Sequence, residues 1–400
     1  MSEPKYAYRL PPCPAYDIEG TESWLEDLAR EGLMLEKESR FFGFFTFTRT
    51  APQTVRYRLE AAVKSQGILD PDPGQPKGEA VELSQELSWE YVINYNDFFI
   101  YRCTDPGVPE LHTDPEVQSL ALGALKKRLR VTLLTEILFL ALCFLLGRTG
   151  FLRYPLGMAV AMGTPIMLAV YAFFLWNLAA PLVYIHRLRK VQRKLLAGQP
   201  LDRKKNWRSH AWRSRILGLV PTVLGIAVIL ASFGSSLRSI ANAVKLADYD
   251  QDPPFVTLQD LSPEGAYDLL WPENSTVEKW SDWLFPVNYS WYENAAVEMP
   301  DGSKLSGSLD VSWHEARTPE LAQALAKELI RYAQSGKYFE DVKILSEGPV
   351  SVRAYNGYYG LNTVLLVYEN TVVEAQVLFQ DPSTRELWIE MMSERLLSGN

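Results

Sequence analysis

The feature that most constrains this chain is a basic segment between two apolar runs. Residues 186–215 contain eleven Lys or Arg residues and one acidic residue, Asp202. Uncharged runs flank the segment on both sides, at residues 156–185 and 216–237. Basic residues in short loops between membrane spans stay on the cytoplasmic side of the bilayer. The pattern therefore predicts a multi-pass membrane protein whose basic loop is cytoplasmic.

Three apolar runs are candidates for membrane-spanning helices. A helix needs about 20 residues to cross a hydrocarbon layer of about 30 Å. The runs at 156–185 and 216–237 satisfy this length, and the longer of them predicts a tilt, or a kink at Pro165 or Pro181. The first run, residues 131–151, is interrupted by charged residues. If all three runs cross the membrane, the N-terminus is cytoplasmic and the C-terminus is outside. If the first run does not cross, both termini lie on the same side.

The chain thus divides into domains 1–120 and 246–400 and a membrane section at 121–245. Both domains are acidic, with 21 acidic and 11 basic side chains in the first and 25 and 10 in the second. This balance argues against nucleic acid as a direct partner. The basic loop instead predicts contact with anionic lipid. The predicted lipid and orientation anchors are Arg187, Arg189, Lys190, Arg193, Lys194, Arg203, Lys204 and Lys205.

The cytoplasmic domain is predicted to alternate helices and strands. An apolar stripe containing Trp24 and Leu28 predicts a helix, with Thr21 as its N-cap and Gly32 just past its end. Further on, apolar residues around Tyr57 alternate with charged ones, which predicts a half-buried strand with its arginines on the solvated face. The element order predicts an antiparallel sheet with two helices on one face, an α+β fold with a ferredoxin-like arrangement.

Several of these residues form a familiar set. They are Trp24-Leu25 with Leu28-Ala29 and Gly32, Phe45 and Phe47, Arg56-Tyr57-Arg58-Leu59, Trp89-Glu90-Tyr91-Val92 and Ile100-Tyr101-Arg102. The set resembles a bacterial membrane-protein family known as domain of unknown function 2812, over residues 5–130. The resemblance implies no established activity. Members of that family are often encoded beside PadR-type repressors, which makes such a regulator the cytoplasmic partner that the resemblance suggests.

The C-terminal domain is predicted to be extracytoplasmic and also α+β, with an antiparallel sheet between two helices. Its strongest local signal is Thr318-Pro319-Glu320, which predicts a helix start, followed by an end near Gln334. Seven aromatic residues lie within residues 271–292. They predict either the core of this segment or a surface for wall polymer, lipid or an external ligand. The candidate binding patch is Trp280, Trp283, Tyr289 and Trp291.

The sequence lacks the common signatures of catalysis and cofactor binding. It contains no phosphate-binding loop, dinucleotide fingerprint, nucleophile elbow or zinc-protease motif, and its four histidines are dispersed. We therefore predict no catalytic residue, metal ligand or cofactor. The leading hypothesis is a signalling or regulatory protein, with an external sensing domain and a cytoplasmic domain that binds a partner. The alternatives are an envelope-binding structural module and, less favoured, an extracytoplasmic enzyme.

Overall fold

A computed structural model describes residues 5–13, 16–38, 43–62, 76, 78–111, 115–145, 150–199, 201–202, 204–335, 341–356, 362–379 and 382–398. The chain forms two compact units. Unit 1 comprises Met1–Ala141 and Ala172–Gly225, and unit 2 comprises Leu142–Tyr171 and Ile226–Asn400. Both contain helices and antiparallel sheets, so the predicted α+β class is confirmed at this level.

The secondary structure consists of the following elements. The helices are α1 (Ile18–Arg30), α2 (Gly78–Glu86), α3 (Pro115–Leu145), α4 (Gly150–Arg153), α5 (Pro155–Met162), α6 (Thr164–Leu196), α7 (Arg208–Asn242), α8 (Pro319–Gln334) and α9 (Pro382–Ser398). The strands are β1 (Tyr6–Arg9), β2 (Leu33–Glu38), β3 (Phe45–Arg49), β4 (Arg56–Ala61), β5 (Glu90–Tyr95), β6 (Phe98–Cys103), β7 (Val244–Lys245), β8 (Tyr267–Leu269), β9 (Thr276–Trp280), β10 (Val287–Glu298), β11 (Lys304–Glu315), β12 (Lys343–Glu347), β13 (Ser351–Asn356), β14 (Asn362–Tyr368) and β15 (Thr371–Phe379).

Unit 1 contains two three-stranded antiparallel sheets, with strand orders β1-β3-β2 and β4-β6-β5. The predicted single sheet is therefore divided in two. The apolar face of α1 packs into a core of aromatic side chains, with the Trp24 ring 5.6 Å from that of Phe45 and 5.8 Å from that of Phe47. The apolar stripe of α1 thus faces the core, as predicted. Full burial of a large apolar side chain stabilises the fold by about 1.5–3 kcal/mol relative to its exposure.

The start of α1 lies upstream of its predicted position. The N-cap is Asp17, whose carboxylate accepts from the backbone N–H of Gly20 at 3.1 Å. Thr21 lies inside the helix, and its hydroxyl donates to the Asp17 carbonyl at 2.9 Å. Aspartate and threonine are both good caps, so local preference alone could not choose between them. The predicted end is confirmed, because Gly32 has a φ of +81° and follows the last helical residue closely.

Unit 2 is built on a nine-stranded antiparallel sheet. Its strand order is β12-β13-β14-β15-β11-β10-β9-β7, with β8 pairing on β10. Leu365 packs in the cluster that includes α8, whereas Leu366 packs with Trp388 of α9. Because successive strand residues point to opposite faces, α8 and α9 cover opposite sides of the sheet. The predicted cap of α8 is confirmed by the Thr318 side chain, which accepts from the N–H of Leu321.

The predicted membrane section forms long helices. The second apolar run is broken at Gly163, which has a φ of +93° and separates α5 from α6. Helix α6 continues beyond residue 185 into the basic segment. Among the described residues, only α6 is long and apolar enough to cross a membrane by length and composition, and α7 contains the shorter apolar stretch Leu219–Leu230.

Candidate functional site

The N-terminal half of α1 contacts the basic segment that joins α6 to α7. The Glu19 carboxylate accepts from Lys194 Nζ at 2.8 Å and from the backbone N–H of Asp202 at 2.9 Å. Lys205 Nζ lies 2.6 Å from Asp17 Oδ1. We call the residues of α1 and the basic segment that bond in this way the charged interface. Its members are Asp17, Glu19, Asp27, Lys194, Asp202, Lys205, Trp207 and Arg208.

The second half of α1 completes the charged interface. Asp27 accepts from the indole N–H of Trp207 at 2.9 Å, and Arg208 Nη1 lies 3.1 Å from the same carboxylate oxygen. The guanidinium of Arg208 also stacks over the Trp207 ring, 4.7 Å from its centroid. Contacts at both ends of α1 therefore fix this helix against the segment between α6 and α7.

Glu19 is the most enclosed carboxylate of the charged interface, with 5% of the residue exposed. Burial alone would raise its pKa, because desolvation disfavours the charged form. The backbone N–H of Asp202 and the ammonium groups of Lys194 and Lys205 outweigh that effect and hold the pKa below its ordinary value. Glu19 is consequently a charged partner in the folded state, which makes the interface sensitive to acid.

An apolar cluster lies beside the charged interface. Tyr16 packs against Tyr184 of α6 with ring centroids 4.7 Å apart, and its hydroxyl donates to Asp97 at 2.6 Å. Arg128 of α3 binds the other oxygen of Asp97, also at 2.6 Å. The buried apolar members from α3 and α6 are Leu122, Leu125, Leu129, Ile185, Leu188, Val191 and Leu195. Apolar and ionic contacts together join the N-terminal sheets to α3 and α6.

Arg58 on β4 is buried, which corrects the predicted solvated face of that strand. Only 7% of the residue is exposed. Its guanidinium contacts Glu26 at 2.8 Å and binds both carboxylate oxygens of Glu110, at 2.5 and 2.7 Å, while Glu22 lies 3.9 Å away. Burial opposes the charge, but these carboxylates outweigh it and raise the pKa of Arg58. The strand pattern did not reveal that α1 supplies acidic partners to this face.

A small cavity adjoins the Arg58 cluster. Its volume is about 70 Å³, and α1, β4, α3 and the end of α6 contribute to its walls. The lining includes Glu22, Arg58, Glu110, Leu122 and Leu195. Pockets for small-molecule ligands are typically at least about 300 Å³. The cavity therefore has room for water or a very small solute beside a polar wall.

The predicted lipid anchors separate into different environments. Lys194 and Lys205 bond to α1 within the charged interface. The other anchors in the described part of the chain are exposed or, for Arg187, half-buried; the exposed ones are Arg189, Lys190, Arg193 and Lys204. Arg203 lies outside the described residues. Some cations of the basic segment thus bind α1, and others are exposed at the molecular surface.

The predicted external patch does not converge on one surface. Tyr289 and Trp291 are buried on β10 and pack around Phe255, with ring centroids 5.9 and 5.5 Å from that ring. Trp280 is half-buried, and its ring lies 6.2 Å from that of His314. Trp283 is 63% exposed. Core packing therefore accounts for two of the four aromatic residues, and Trp283 is the member most open to a ligand.

Sequence reasoning missed the acidic side of the charged interface. Its carboxylates come from a helix about 170–190 residues before their cationic partners in the chain. The available signal was charge complementarity between an acidic helix and a basic segment. In the described part of the chain, no group of three or more His, Cys, Asp or Glu residues has an arrangement that could hold a metal ion.

Unit 1 defines an α+β domain attached to long helices with apolar stretches. Within it, residues 17–134 match the family described as "Protein of unknown function (DUF2812)", which confirms the resemblance predicted from the aromatic and arginine motifs. The matched segment contains the acidic half of the charged interface and the Arg58 cluster, and the basic half lies beyond it. No curated protein and no solved structure matches the chain.

Proposed function

We propose that this protein is a multi-pass protein of the bacterial cytoplasmic membrane that transmits a signal between an external and a cytoplasmic domain. Large apolar side chains exposed along α3, α6 and α7 support the membrane location. Contiguous apolar surface of this kind is unfavourable in water and is expected where helices meet lipid. The exposed side chains include Leu134, Leu138, Phe139, Leu175, Leu182, Val223, Ile229, Leu230 and Phe233.

The orientation follows from the distribution of basic residues. Lys126, Lys127, Arg128 and Arg130 precede the exposed apolar part of α3, and the basic segment follows that of α6. Both groups belong on the cytoplasmic side. With three crossings, the N-terminal domain is cytoplasmic and the C-terminal domain is extracytoplasmic.

The observation that carries the signalling proposal is the course of α6. Exposed leucines, among them Leu168, Leu175 and Leu182, lie along α6 before Ile185. From Ile185 onward one face is buried against α3 and Tyr16. The same helix then supplies Lys194 to Glu19. A shift or rotation of α6 would alter this ion pair, because Lys194 lies on the same helix as the apolar stretch.

The first residue of α6 is also bonded to a folded domain. The backbone N–H of Thr164 donates to the Asp282 carboxylate at 2.7 Å, and the Thr164 hydroxyl bonds to the same group. Asp282 belongs to the C-terminal sheet domain that we place outside the cell. A ligand that changes the surroundings of Asp282 would therefore alter the position of α6. The Lys194–Glu19 ion pair of the charged interface would change with it, which is how the cytoplasmic domain would receive the signal.

We further propose that the cytoplasmic domain binds a PadR-type regulator, the partner suggested by the family resemblance. Strand β1 lies at the edge of its sheet and exposes Tyr6 and Tyr8. Edge strands with exposed aromatic side chains are suitable surfaces for a protein partner. We therefore propose strand β1, with Tyr6 and Tyr8, as the partner surface.

Protease treatment of intact cells or spheroplasts tests the topology. Cleavage should remove chain beyond Lys245 and leave the N-terminal domain intact, and alkaline carbonate should not extract the protein from membranes. Cleavage of both domains, or protection of both after the outer envelope is opened, would contradict the signalling architecture. Release by carbonate would contradict membrane insertion itself.

Cross-linking of the full-length chain in cells, followed by purification, tests the partner. A PadR-type regulator should be recovered with the unmodified protein and lost with a Tyr6→Ala, Tyr8→Ala double variant. Trp283→Ala is the matched control, because it removes an exposed aromatic residue from the other unit. Failure to recover a regulator that is present in the cells would reject this partner.

An envelope-binding function is the second candidate, and the exposure of Trp283 favours it. Indoles at a surface can stack on sugars or lie in a membrane interface. Wall preparations should then bind the detergent-solubilised protein and lose at least about tenfold in affinity with Trp283→Ala. Trp271→Ala is the control, because Trp271 is also exposed but lies outside the predicted patch. Equal behaviour of both variants would remove the motivation for this function.

A further inference from the structure

A second group of cations, distinct from the charged interface, lies where α3 packs on α6. Lys126 and Arg130 are one turn apart on α3, and Arg189 and Arg193 are one turn apart on α6. Gln192 fixes the two helices together, since it accepts from Lys126 Nζ through its side-chain oxygen and donates to the Ser119 carbonyl at 3.0 Å. The four cations therefore lie on two helices that are joined through Gln192.

No carboxylate in the described part of the chain pairs with these four cations. Lys126 bonds to Gln192, which lies between Arg189 and Arg193 on α6. Partial burial, followed by the charges of Arg130, Arg189 and Arg193, lowers the pKa of Lys126. Within the described ranges, none of the four forms an ion pair with a carboxylate. The acidic groups of α1 instead bind Lys194, Lys205 and Arg208.

Apolar side chains continue the same helical stripes toward the membrane section. On α3, Leu134 and Leu138 follow Arg130 at successive intervals of four residues, and both are exposed. On α6, exposed Leu182 and Leu175 precede Arg189 at intervals of seven residues. Each stripe thus passes directly from cations to apolar surface. A free phosphate would use only the cations, whereas a phospholipid would use both parts.

We propose that Lys126, Arg130, Arg189 and Arg193 bind the phosphate headgroup of an anionic phospholipid in the inner leaflet, with its acyl chains along the leucines of α3 and α6. This inference rests on the proposed membrane insertion and adds a defined lipid site to it. It also divides the cations of the basic segment by role, because Arg189 and Arg193 bind lipid while Lys194 and Lys205 bind α1.

Lipid binding by the full-length chain in detergent tests the site. Phosphatidylglycerol is titrated and the bound lipid is counted by native mass spectrometry, with phosphatidylcholine as the uncharged comparison. Each basic residue near an anionic surface contributes about fivefold in affinity, so Arg130→Gln with Arg193→Gln should weaken phosphatidylglycerol binding about 30-fold. Lys127→Gln with Lys37→Gln is the matched control, because it removes the same charge from exposed positions that belong neither to the proposed site nor to the predicted anchors. The control should lose less than about threefold.

Three results would overturn the lipid site. Equal losses in the two double variants would show general charge attraction, and equal binding of phosphatidylcholine would show that headgroup charge is irrelevant. Saturable binding of inorganic phosphate that weakens in parallel in the Arg130→Gln, Arg193→Gln variant would assign the site to a free anion. The carbonate extraction of the unmodified protein separately reports membrane insertion. An unchanged thermal unfolding midpoint for both variants excludes misfolding as the cause of lost binding.

Discussion

The two units bury charged groups in different ways. In unit 1, Arg58 contacts Glu26 and Glu110, and Glu19 contacts Lys194, so buried charges meet opposite charges. In unit 2, Glu293 is fully buried and accepts from the backbone N–H of Leu258 at 2.7 Å and the Tyr267 hydroxyl at 2.8 Å. The first arrangement depends on opposite charges, and the second on neutral hydrogen-bond donors.

The same difference appears in the pKa values. The pKa of Glu19 is lowered because its hydrogen-bond donors and cations outweigh burial. Burial raises the pKa of Glu293, and its neutral donors offset that effect only in part. Burial likewise raises the pKa of Glu374, which accepts from the Tyr355 hydroxyl at 2.7 Å. Acid therefore weakens the ion pairs of unit 1 and favours the folded form of these carboxylates in unit 2.

Removing the Arg58 side chain should destabilise the protein more than any other single change predicted below. Arg58→Ala removes the buried cation that lies between the carboxylates of Glu22 and Glu26, which should cost about 3–5 kcal/mol of unfolding free energy. Urea unfolding in detergent, with hydrogen exchange to locate the change in unit 1, measures the loss.

Arg30→Ala is the control for that measurement. Arg30 contacts Asp27 and lies 3.8 Å from Glu26, but half of its side chain is exposed, unlike that of Arg58. Loss of such a surface pair should cost at most about 1 kcal/mol. A similarly small loss for Arg58→Ala would show that the buried cluster is not important to the stability of unit 1.

Glu293→Ala should have a smaller effect, confined to unit 2. The substitution leaves the Leu258 N–H and the Tyr267 hydroxyl without their acceptor. Both donors are neutral, so we expect the lower end of the cost of an unsatisfied buried group, about 2–3 kcal/mol for the two together. Because these donors are neutral, the loss should change little between low and high salt. Tyr267→Phe removes only one of the two hydrogen bonds and should cost about 1 kcal/mol. A strong salt dependence of the Glu293→Ala loss would remove the proposed contrast between the units.

The elements that were predicted well have local signals. Helix α8 begins where Thr318, Pro319 and Glu320 place it, since capping depends on neighbouring residues. The helix stripe with Trp24 and the strand with Tyr57 likewise follow from short-range periodicity. The start of α1 was displaced because a second strong cap, Asp17, lies just upstream.

The candidate site was less predictable because its partners are distant in sequence. Arg58 alternates with apolar residues as a solvated strand residue would, and only the packing of α1 reveals its buried acidic partners. Glu19 and Lys194 are 175 residues apart. The aromatic residues at 271–292 were compatible with either a core or a binding surface. The strand register of β10 buries Tyr289 and Trp291, so these two belong to the core. Single-sequence patterns contain no information on such pairings.

The smallest predicted effect is the acid sensitivity of Glu19. A carboxylate whose folded pKa is lowered stabilises the fold above its unfolded value, 4.5, and loses that contribution as the pH falls through the folded pKa. Glu19→Gln should therefore cost about 1 kcal/mol at pH 7, and the difference from the unmodified protein should vanish in stronger acid. Glu293→Gln should show the opposite trend, because the unmodified protein gains stability there as the pH falls toward 4.5. Unfolding free energies of the three proteins across this range measure both slopes, and parallel slopes would show that the two units do not differ in how they hold buried carboxylates.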